Sequence, residues 1–191
     1  MLSLLFFVDS FAGGFVAQSF LSFYYEKKYD YQMDSVGGLL FVCNIVGGIS
    51  GVVSSKLVAK IGAMATMIFT HLPSNVLLMM VALTNNSTVA IFLIMARFCI
   101  SQMDVPARQT YVSMVVSPEE RSAANGITNI TRSVGVALAF PIAGYLWNTE
   151  KQSFLFSAPF LIAGALKIFY DLTLGACFLW SKSAKKNEEK K

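Results

Sequence analysis

The sequence predicts an all-α membrane protein built from six transmembrane helices. Six long apolar stretches fill almost the whole chain, and short polar breaks separate them. A bilayer core of about 30 Å requires about 20 apolar residues for each crossing helix, so each stretch is long enough to span it. The composition agrees, because 55% of the 191 residues are hydrophobic and only 14% are charged, against about 25% in soluble domains.

The predicted helices form one transmembrane domain, residues 1–181. Their approximate bounds are 2–25, 35–58, 64–83, 89–116, 120–147 and 153–180, and a basic tail follows at 182–191. The first helix ends in Phe23-Tyr24-Tyr25, a run typical of a membrane interface. It lacks the basic start and the cleavage site of a signal peptide. The charged break 26–34 separates it from the second helix.

The second and third helices are marked by glycine and proline. Gly47 and Gly51 form a small-xxx-small pair, which favours close packing of helices within one bundle. Pro73 lies inside the third helix, where membrane helices tolerate proline. The polar break that follows contains two overlapping glycosylation sequons, at Asn85 and Asn86. The motif is too short to decide whether either is used.

The fourth helix is the most polar of the six, and the fifth has a recognisable start. Ser117 has the character of an N-cap, followed by Pro118 at the first helical position and by the acids Glu119 and Glu120 in the first turn. The fifth helix is polar in its first turns and apolar in its second half. The sixth helix precedes the lysine-rich tail.

The distribution of basic residues predicts the orientation. Six crossings place both termini on one side of the membrane. The loops on that side and the tail hold most of the lysine and arginine, which favours the cytoplasm for both termini. The net charge of +4 lies mostly in the tail, so it does not indicate nucleic-acid binding.

Charged residues inside the helices are the most informative residues, because each costs about 2.5–3.5 kcal/mol at mid-bilayer on insertion scales. Asp9 in the first helix and Arg97 in the fourth have no opposite charge three or four residues away. We therefore consider a pairing of Arg97 with Asp9 across two helices. Such residues usually pair, face the bundle interior or line a water-filled path.

Two further sets of charges lie four residues apart on one helix face. Asp104 and Arg108 either pin the cytoplasmic end of the fourth helix or belong to a solute path. Lys167 and Asp171 in the sixth helix either neutralise each other for insertion or contact a solute. The spacing alone leaves both alternatives open.

Catalytic and metal-binding motifs are absent from the sequence. His71 is the single histidine, and it is either a packing residue or a proton relay. No Cys/His/Asp cluster has metal-ligand spacing, and no phosphate-cradling loop or nucleophile motif occurs. The three cysteines lie in apolar stretches and do not indicate a disulfide framework. We expect no metal, no cofactor and no enzymatic activity.

Four stretches resemble the major facilitator superfamily of transporters. They are Asp9-Ser-Phe-Ala-Gly-Gly-Phe, His71-Leu-Pro-Ser-Asn75, Ser101-Gln-Met-Asp-Val-Pro-Ala-Arg-Gln109 and Pro118-Glu-Glu-Arg-Ser-Ala-Ala-Asn-Gly-Ile-Thr-Asn129. The chain is similar to the C-terminal six-helix half of such a transporter, among uncharacterised, drug-efflux-like members. The resemblance implies a 3+3 inverted repeat and alternating access around a site at the bilayer midplane.

The resemblance also implies roles for residues, since the first, second, fourth and fifth helices of this half face the central cavity in the family. The candidate residues of the substrate or ion pathway are Asp9, Gln18, Asn44, Arg97 and Gln102. The candidate gating or structural charges on the cytoplasmic side are Asp104, Arg108, Glu119, Glu120 and Arg121. Lys167 and Asp171, on the sixth helix, become a structural intramembrane pair.

The chain departs from the family pattern in two places. The loop between the second and third helices usually reads Gly-x-x-x-Asp-Arg-x-Gly-Arg-Arg, whereas here Ser55-Lys-Leu-Val-Ala-Lys-Ile-Gly62-Ala63 lacks the acid and the final basic residues. In addition, Met1 begins directly at what resembles the seventh helix. The expected explanations are a truncated product, one half of a split transporter, or a half that forms a homodimer.

The sequence therefore favours transport of a small solute, in a bilayer for which the plasma membrane is the preferred candidate. Asp9 is the best candidate for a proton-binding carboxylate. The rival hypothesis is a truncated or accessory membrane protein without transport activity of its own. The polar set Asp9, Arg97 and Asp104 distinguishes the two, because a scaffold has no need for charges that face a cavity.

Overall fold

The structure is a computed structural model that describes residues 2–148, 150 and 154–188, with side chains over 3–148, 150 and 155–177. Over this part of the chain, the backbone forms eight helices. They are α1 (Leu2–Gly14), α2 (Gln18–Tyr29), α3 (Met33–Ile61), α4 (Ala63–Leu83), α5 (Ser87–Ser101), α6 (Asp104–Val115), α7 (Arg121–Trp147) and α8 (Phe154–Glu188).

These helices make six membrane spans, because α1 with α2 and α5 with α6 each form one interrupted span. Within the described residues, six helical stretches are long and apolar enough to cross a membrane, namely Ser3–Tyr29, Met33–Ile61, Ala63–Leu83, Ser87–Val115, Arg121–Trp147 and Leu155–Cys177. The predicted all-α class and the six-span half-bundle are confirmed.

The first span is interrupted directly after Gly13 and Gly14, two residues with low helix propensity. The chain continues with tighter turns, in which the Phe15 N–H donates to the Ala12 carbonyl at 3.3 Å. A membrane helix tolerates such a break where neighbouring side chains satisfy the freed backbone groups. Trp147 of α7 does so, because its Nε1 donates to the Phe15 carbonyl oxygen at 3.1 Å.

The fourth span is interrupted where Pro106 requires it. A proline ring clashes with the carbonyl four residues earlier, here that of Gln102, and α5 ends at Ser101. Ser54 of α3 donates its hydroxyl to the Met103 carbonyl oxygen at 2.6 Å. Gly47 makes room for this junction, since a Cβ there would lie 2.7 Å from Gln102 Cγ.

The first and third spans are the most buried: half of the apolar 18-residue stretch in each lies inside the bundle. α1 packs against α7 and α8, and α4 packs against α5 and α8. The second, fourth and fifth spans bury less than a third of theirs. Large faces of these three spans are therefore free to contact lipid or another protein surface.

One local sequence prediction differs from the structure. Ser117 does not cap a helix, because residues 117–120 form a turn and α7 begins at Arg121. The Ser117 hydroxyl donates to Glu120 Oε2 at 2.9 Å, and a carboxylate is a strong competitor for that hydroxyl. α8 extends into the basic tail as far as Glu188, since lysine, glutamate and alanine all favour helix.

Candidate functional site: a buried charge cluster and an adjoining polar cavity

Asp9 lies at the centre of a cluster of charges inside the bundle. α1 holds it at 2% exposure. Lys167 Nζ donates to Asp9 Oδ1 at 2.5 Å and Arg132 Nη1 donates to Oδ2 at 3.0 Å. Arg108 Nη1 and His71 Nε2 each lie 3.6 Å from an Asp9 oxygen. One carboxylate thus faces basic groups from α4, α6, α7 and α8.

Arg108 links Asp9 to a second carboxylate. Its Nη1 donates to Asp104 Oδ2 at 2.9 Å, and both residues are buried, at 8% and 4% exposure. The predicted pairing of Asp104 with Arg108 along one helix face is therefore present. It extends across the bundle to α1, so it does more than pin the end of one helix.

Asp171 completes the cluster on the other side of His71. His71 Nδ1 lies 2.8 Å from Asp171 Oδ1, and Asn75 Nδ2 donates to Asp171 Oδ2 at 2.9 Å. Because Nδ1 faces a carboxylate oxygen, a neutral His71 carries its proton on Nδ1. The His71 ring lies between the carboxylates of Asp171 and Asp9, and only its doubly protonated form donates towards both.

We call these seven residues the charge cluster: Asp9, His71, Asp104, Arg108, Arg132, Lys167 and Asp171. Three carboxylates balance three cations when the histidine is neutral, so the cluster has no net charge. A buried ion pair becomes costly when one partner is removed, because the other charge is left uncompensated. The cluster therefore ties α1, α4, α6, α7 and α8 to one another.

A polar cavity of about 630 Å³ adjoins the cluster. It lies near the end of the bundle where α1 and α7 begin and α6 ends. We call it the arginine cavity, and it is lined by Phe6, Pro106, Arg108, Gln109, Thr110, Val112, Ser113, Asn125, Thr128, Asn129 and Arg132. Among the described residues, its charged lining residues are two arginines, and no carboxylate lines it. The rest of the wall is mostly amides and hydroxyls.

A second polar surface lies at the interrupted spans. Gln18, at the start of α2, donates from Nε2 to Asn44 Oδ1 at 2.8 Å, and both side chains are exposed. One turn further along α3, Gly47 contacts the half-buried Gln102. The structure thus brings together three of the five predicted pathway residues, from three different spans.

Arg97 does not pair with Asp9. No carboxylate lies within 4 Å of it among the described side chains, and its Nε is buried without a hydrogen-bond partner there. Its guanidinium Cζ lies 5.7 Å from the centre of the Phe98 ring. The hypothesis of a direct Arg97–Asp9 contact is wrong, because Lys167 and Arg132 occupy the two Asp9 oxygens.

The predicted Lys167–Asp171 pair is not formed either. Lys167 contacts Asp9, and Asp171 contacts His71 and Asn75. The two residues share a helix face, but each finds a closer partner on a neighbouring helix. Asp9 itself is buried in the charge cluster, and its role as a pathway residue stays a prediction.

The remaining predicted gating charges lie at the loop before α7. Glu119, Glu120 and Arg121 are all exposed. Glu120 accepts from the Ser117 hydroxyl, and its backbone N–H donates to the Ser117 carbonyl oxygen at 3.1 Å, so two hydrogen bonds order the turn. Nothing in the geometry of these three residues connects them to the charge cluster.

The sequence reasoning did not place Arg132, His71 and Asn75 in the site. One signal could have found a partner: Asp9 lacks a cation on its own helix, so a base from another helix had to balance it. Arg132 lies in the polar first half of the fifth span and was the obvious candidate.

The fold and the cluster define an integral, multi-pass membrane protein that keeps charged groups inside the bilayer. The sequence profile of the Major Facilitator Superfamily matches residues 2–191. The chain therefore belongs to this family, whose members are typically membrane transporters and not enzymes.

A curated relative agrees with this assignment. The chain is 25% identical over 179 residues to the uncharacterized membrane protein YJR124C of Saccharomyces cerevisiae. The match covers 93% of this chain and 39% of the yeast protein. The chain thus spans less than half the length of the relative that it matches.

Proposed function

We propose that this chain forms one half of an alternating-access secondary transporter for a small solute. The observation that carries the proposal is the arginine cavity, a polar space of about 630 Å³ whose walls come from three separate spans. Ionisable residues within membrane spans typically mark solute or ion pathways. The family assignment supports transport in general.

The charge cluster supports a rigid-body mechanism. Alternating access requires that one bundle rocks against another around a solute site. Contacts from Asp9 and its partners join five helices, so the half is held as a single body. Polar side chains lie beside the two interrupted spans, where the helices lose their regular hydrogen bonds. These side chains are Gln18, Asn44 and Gln102.

A complete pathway needs a second wall. The second, fourth and fifth spans leave large faces uncovered, which fits contact with a second six-helix half or with another copy of this chain. In this proposal both termini face the cytoplasm, the plasma membrane is the preferred location, and Arg97 is a pathway residue. Asp9, together with His71, is the candidate site for a coupling proton.

The alternative is a truncated or accessory membrane protein without transport of its own. Native mass spectrometry of the protein extracted from its own membrane separates the two. A homodimer, or a complex with a second six-helix chain, supports the transporter. A strict monomer leaves the cavity without its second wall and favours the alternative.

Neutralising single charges gives an independent test. Arg97→Gln removes none of the direct contacts of Asp9, which come from Lys167, Arg132, Arg108 and His71. In a transporter, this variant lowers uptake while the protein remains folded. In an accessory protein, the variant behaves like the wild type in every assay of the complex.

A further inference from the structure

We propose that the arginine cavity binds a small oxyanion, a carboxylate or a phosphate, through Arg108 and Arg132. The proposal deepens the proposed function. It rests on that function only in naming the class of solute that is transported. The binding site itself is argued from the cavity alone.

The two arginines have unused hydrogen-bond capacity. Arg108 uses only Nη1 for Asp104 and Asp9, and Arg132 uses only Nη1 for Asp9. Within the described residues, Nε and Nη2 of both arginines make no hydrogen bond. A guanidinium presents five N–H donors in a planar fork, so each arginine still has several donors for a ligand in the cavity.

The carboxylates of the cluster hold these arginines in place from positions outside the cavity lining. Asp9 and Asp104 do not line the cavity, whereas Arg108 and Arg132 do. Lys167 donates to Asp9 Oδ1 at 2.5 Å and Arg132 donates to Oδ2 at 3.0 Å, so Arg132 shares one carboxylate with a second cation. The charged groups that face the cavity are consequently two guanidinium groups, although the charge cluster as a whole is balanced when His71 is neutral.

The remaining wall complements an oxyanion. Gln109, Asn125 and Asn129 carry amide N–H donors, and Thr110, Ser113 and Thr128 carry hydroxyls. Charge-assisted hydrogen bonds from arginine to carboxylate or phosphate are among the strongest in proteins, and they are often bidentate. An apolar drug would offer the remaining guanidinium N–H groups no acceptor, and a neutral sugar would offer only uncharged hydroxyl oxygens, which form weaker hydrogen bonds.

Two sources can supply this chemistry: a soluble anion or the phosphate of a lipid headgroup. The experiment uses the full chain purified in dodecyl maltoside, which carries no anionic group, in chloride buffer. Titration calorimetry is performed with inorganic phosphate, with succinate and with short-chain phosphatidic acid. Binding of the soluble anions identifies a solute site, and binding of phosphatidic acid alone identifies a headgroup site. Both outcomes support oxyanion recognition, and binding of none of the three at millimolar concentration overturns it.

Matched variants test the arginine. Arg132→Gln is expected to weaken binding about tenfold or more, because a hydrogen-bonded charge is lost, and Arg132→Lys is expected to restore part of it. Arg121→Gln, on an exposed residue of the same helix outside the cavity, is the control. Equal weakening by Arg121→Gln and Arg132→Gln overturns the proposal.

A second variant keeps the proposal testable if Arg132→Gln does not fold. Asn129→Leu removes an exposed polar group of the cavity wall and leaves every member of the charge cluster in place. We expect it to weaken anion binding severalfold with an unchanged melting temperature. Unchanged affinity in this variant contradicts the assigned cavity.

Uptake into proteoliposomes separates this inference from the transport proposal. Binding that depends on Arg132, without uptake of the anion, supports the site and overturns its place in transport. Uptake of a solute that is insensitive to Arg132→Gln supports transport and overturns the oxyanion assignment.

Discussion

Removing the charge of Asp9 is expected to destabilise the bundle strongly. Asp9→Asn leaves Lys167 and Arg132 without the carboxylate that they contact at 2.5 and 3.0 Å. Breaking a buried ion pair by removing one partner costs about 3–5 kcal/mol. For a chain of this size, 1 kcal/mol shifts the unfolding midpoint by roughly 2–4 °C. The expected loss is therefore about 6–20 °C.

The double variant Asp9→Asn with Lys167→Met tests whether charge balance is the reason. It removes one carboxylate and one cation, so the cluster keeps two carboxylates and two cations. We expect its destabilisation to be smaller than the sum of the two single effects by about 1–3 kcal/mol, the coupling typical of residues in contact. Asp34→Asn, at an exposed position on α3, is the control.

The assay is thermal unfolding of the purified variants in one detergent, followed by the loss of the monodisperse peak in size-exclusion chromatography. Two results refute the reasoning. In one, Asp9→Asn shifts the midpoint no more than Asp34→Asn does. In the other, the effects of Asp9→Asn and Lys167→Met simply add, which means that the two side chains do not interact.

Two further predictions concern helix packing and helix capping. Gly135→Ala should lower the free energy of unfolding by about 1–3 kcal/mol, since the new Cβ would lie 2.8 Å from the Phe7 carbonyl oxygen. Gly144→Ala on the same helix is the control. Its Cβ would meet nothing within 4 Å, so this change should be neutral or slightly stabilising. Asn86→Ala should lower the free energy of unfolding by about 1 kcal/mol, because the Asn86 side chain accepts hydrogen bonds from two backbone N–H groups at the start of α5. Asn85→Ala, at an exposed position, should leave the free energy of unfolding unchanged. Thermal unfolding checks both pairs, and equal shifts within either pair contradict the corresponding assignment.

The spans were predictable because the signal is local. Length and hydropathy decide whether a stretch crosses the bilayer, and neither depends on which helices become neighbours. The interruption at Gln102 also had a local cause, Pro106, but a proline alone does not predict a break, since Pro73 and Pro141 lie inside continuous helices. The break after Gly14 depends in addition on Trp147, which lies far away in the sequence.

The partners of the charges were not predictable in the same way. Asp104 and Arg108 pair as their spacing suggested, because both lie on one face of one helix. Lys167 and Asp171 have the same spacing, yet each contacts a residue of another helix. The outcome depends on how α1, α4 and α8 are rotated and packed, and hydropathy does not encode these rotations.

The role of Asn86 illustrates a third case. The sequence shows a glycosylation sequon there, and the structure shows an N-cap whose Oδ1 accepts from the N–H groups of Thr88 and Val89 at 3.0 and 3.3 Å. The same residue satisfies a short motif and a structural requirement. Only the backbone geometry reveals the second.

Alternating access is the central claim, and the accessibility of the arginine cavity tests it most directly. In a background in which Cys43, Cys99 and Cys177 are replaced by alanine, Asn129→Cys reports on the cavity and Ser117→Cys reports on the loop before α7. Each is treated with a membrane-impermeant maleimide from either side of sealed native membrane vesicles. We predict that the cysteine at position 129 reacts from both sides and the cysteine at position 117 from one side only. Reaction of the cysteine at position 129 from one side alone would contradict the account.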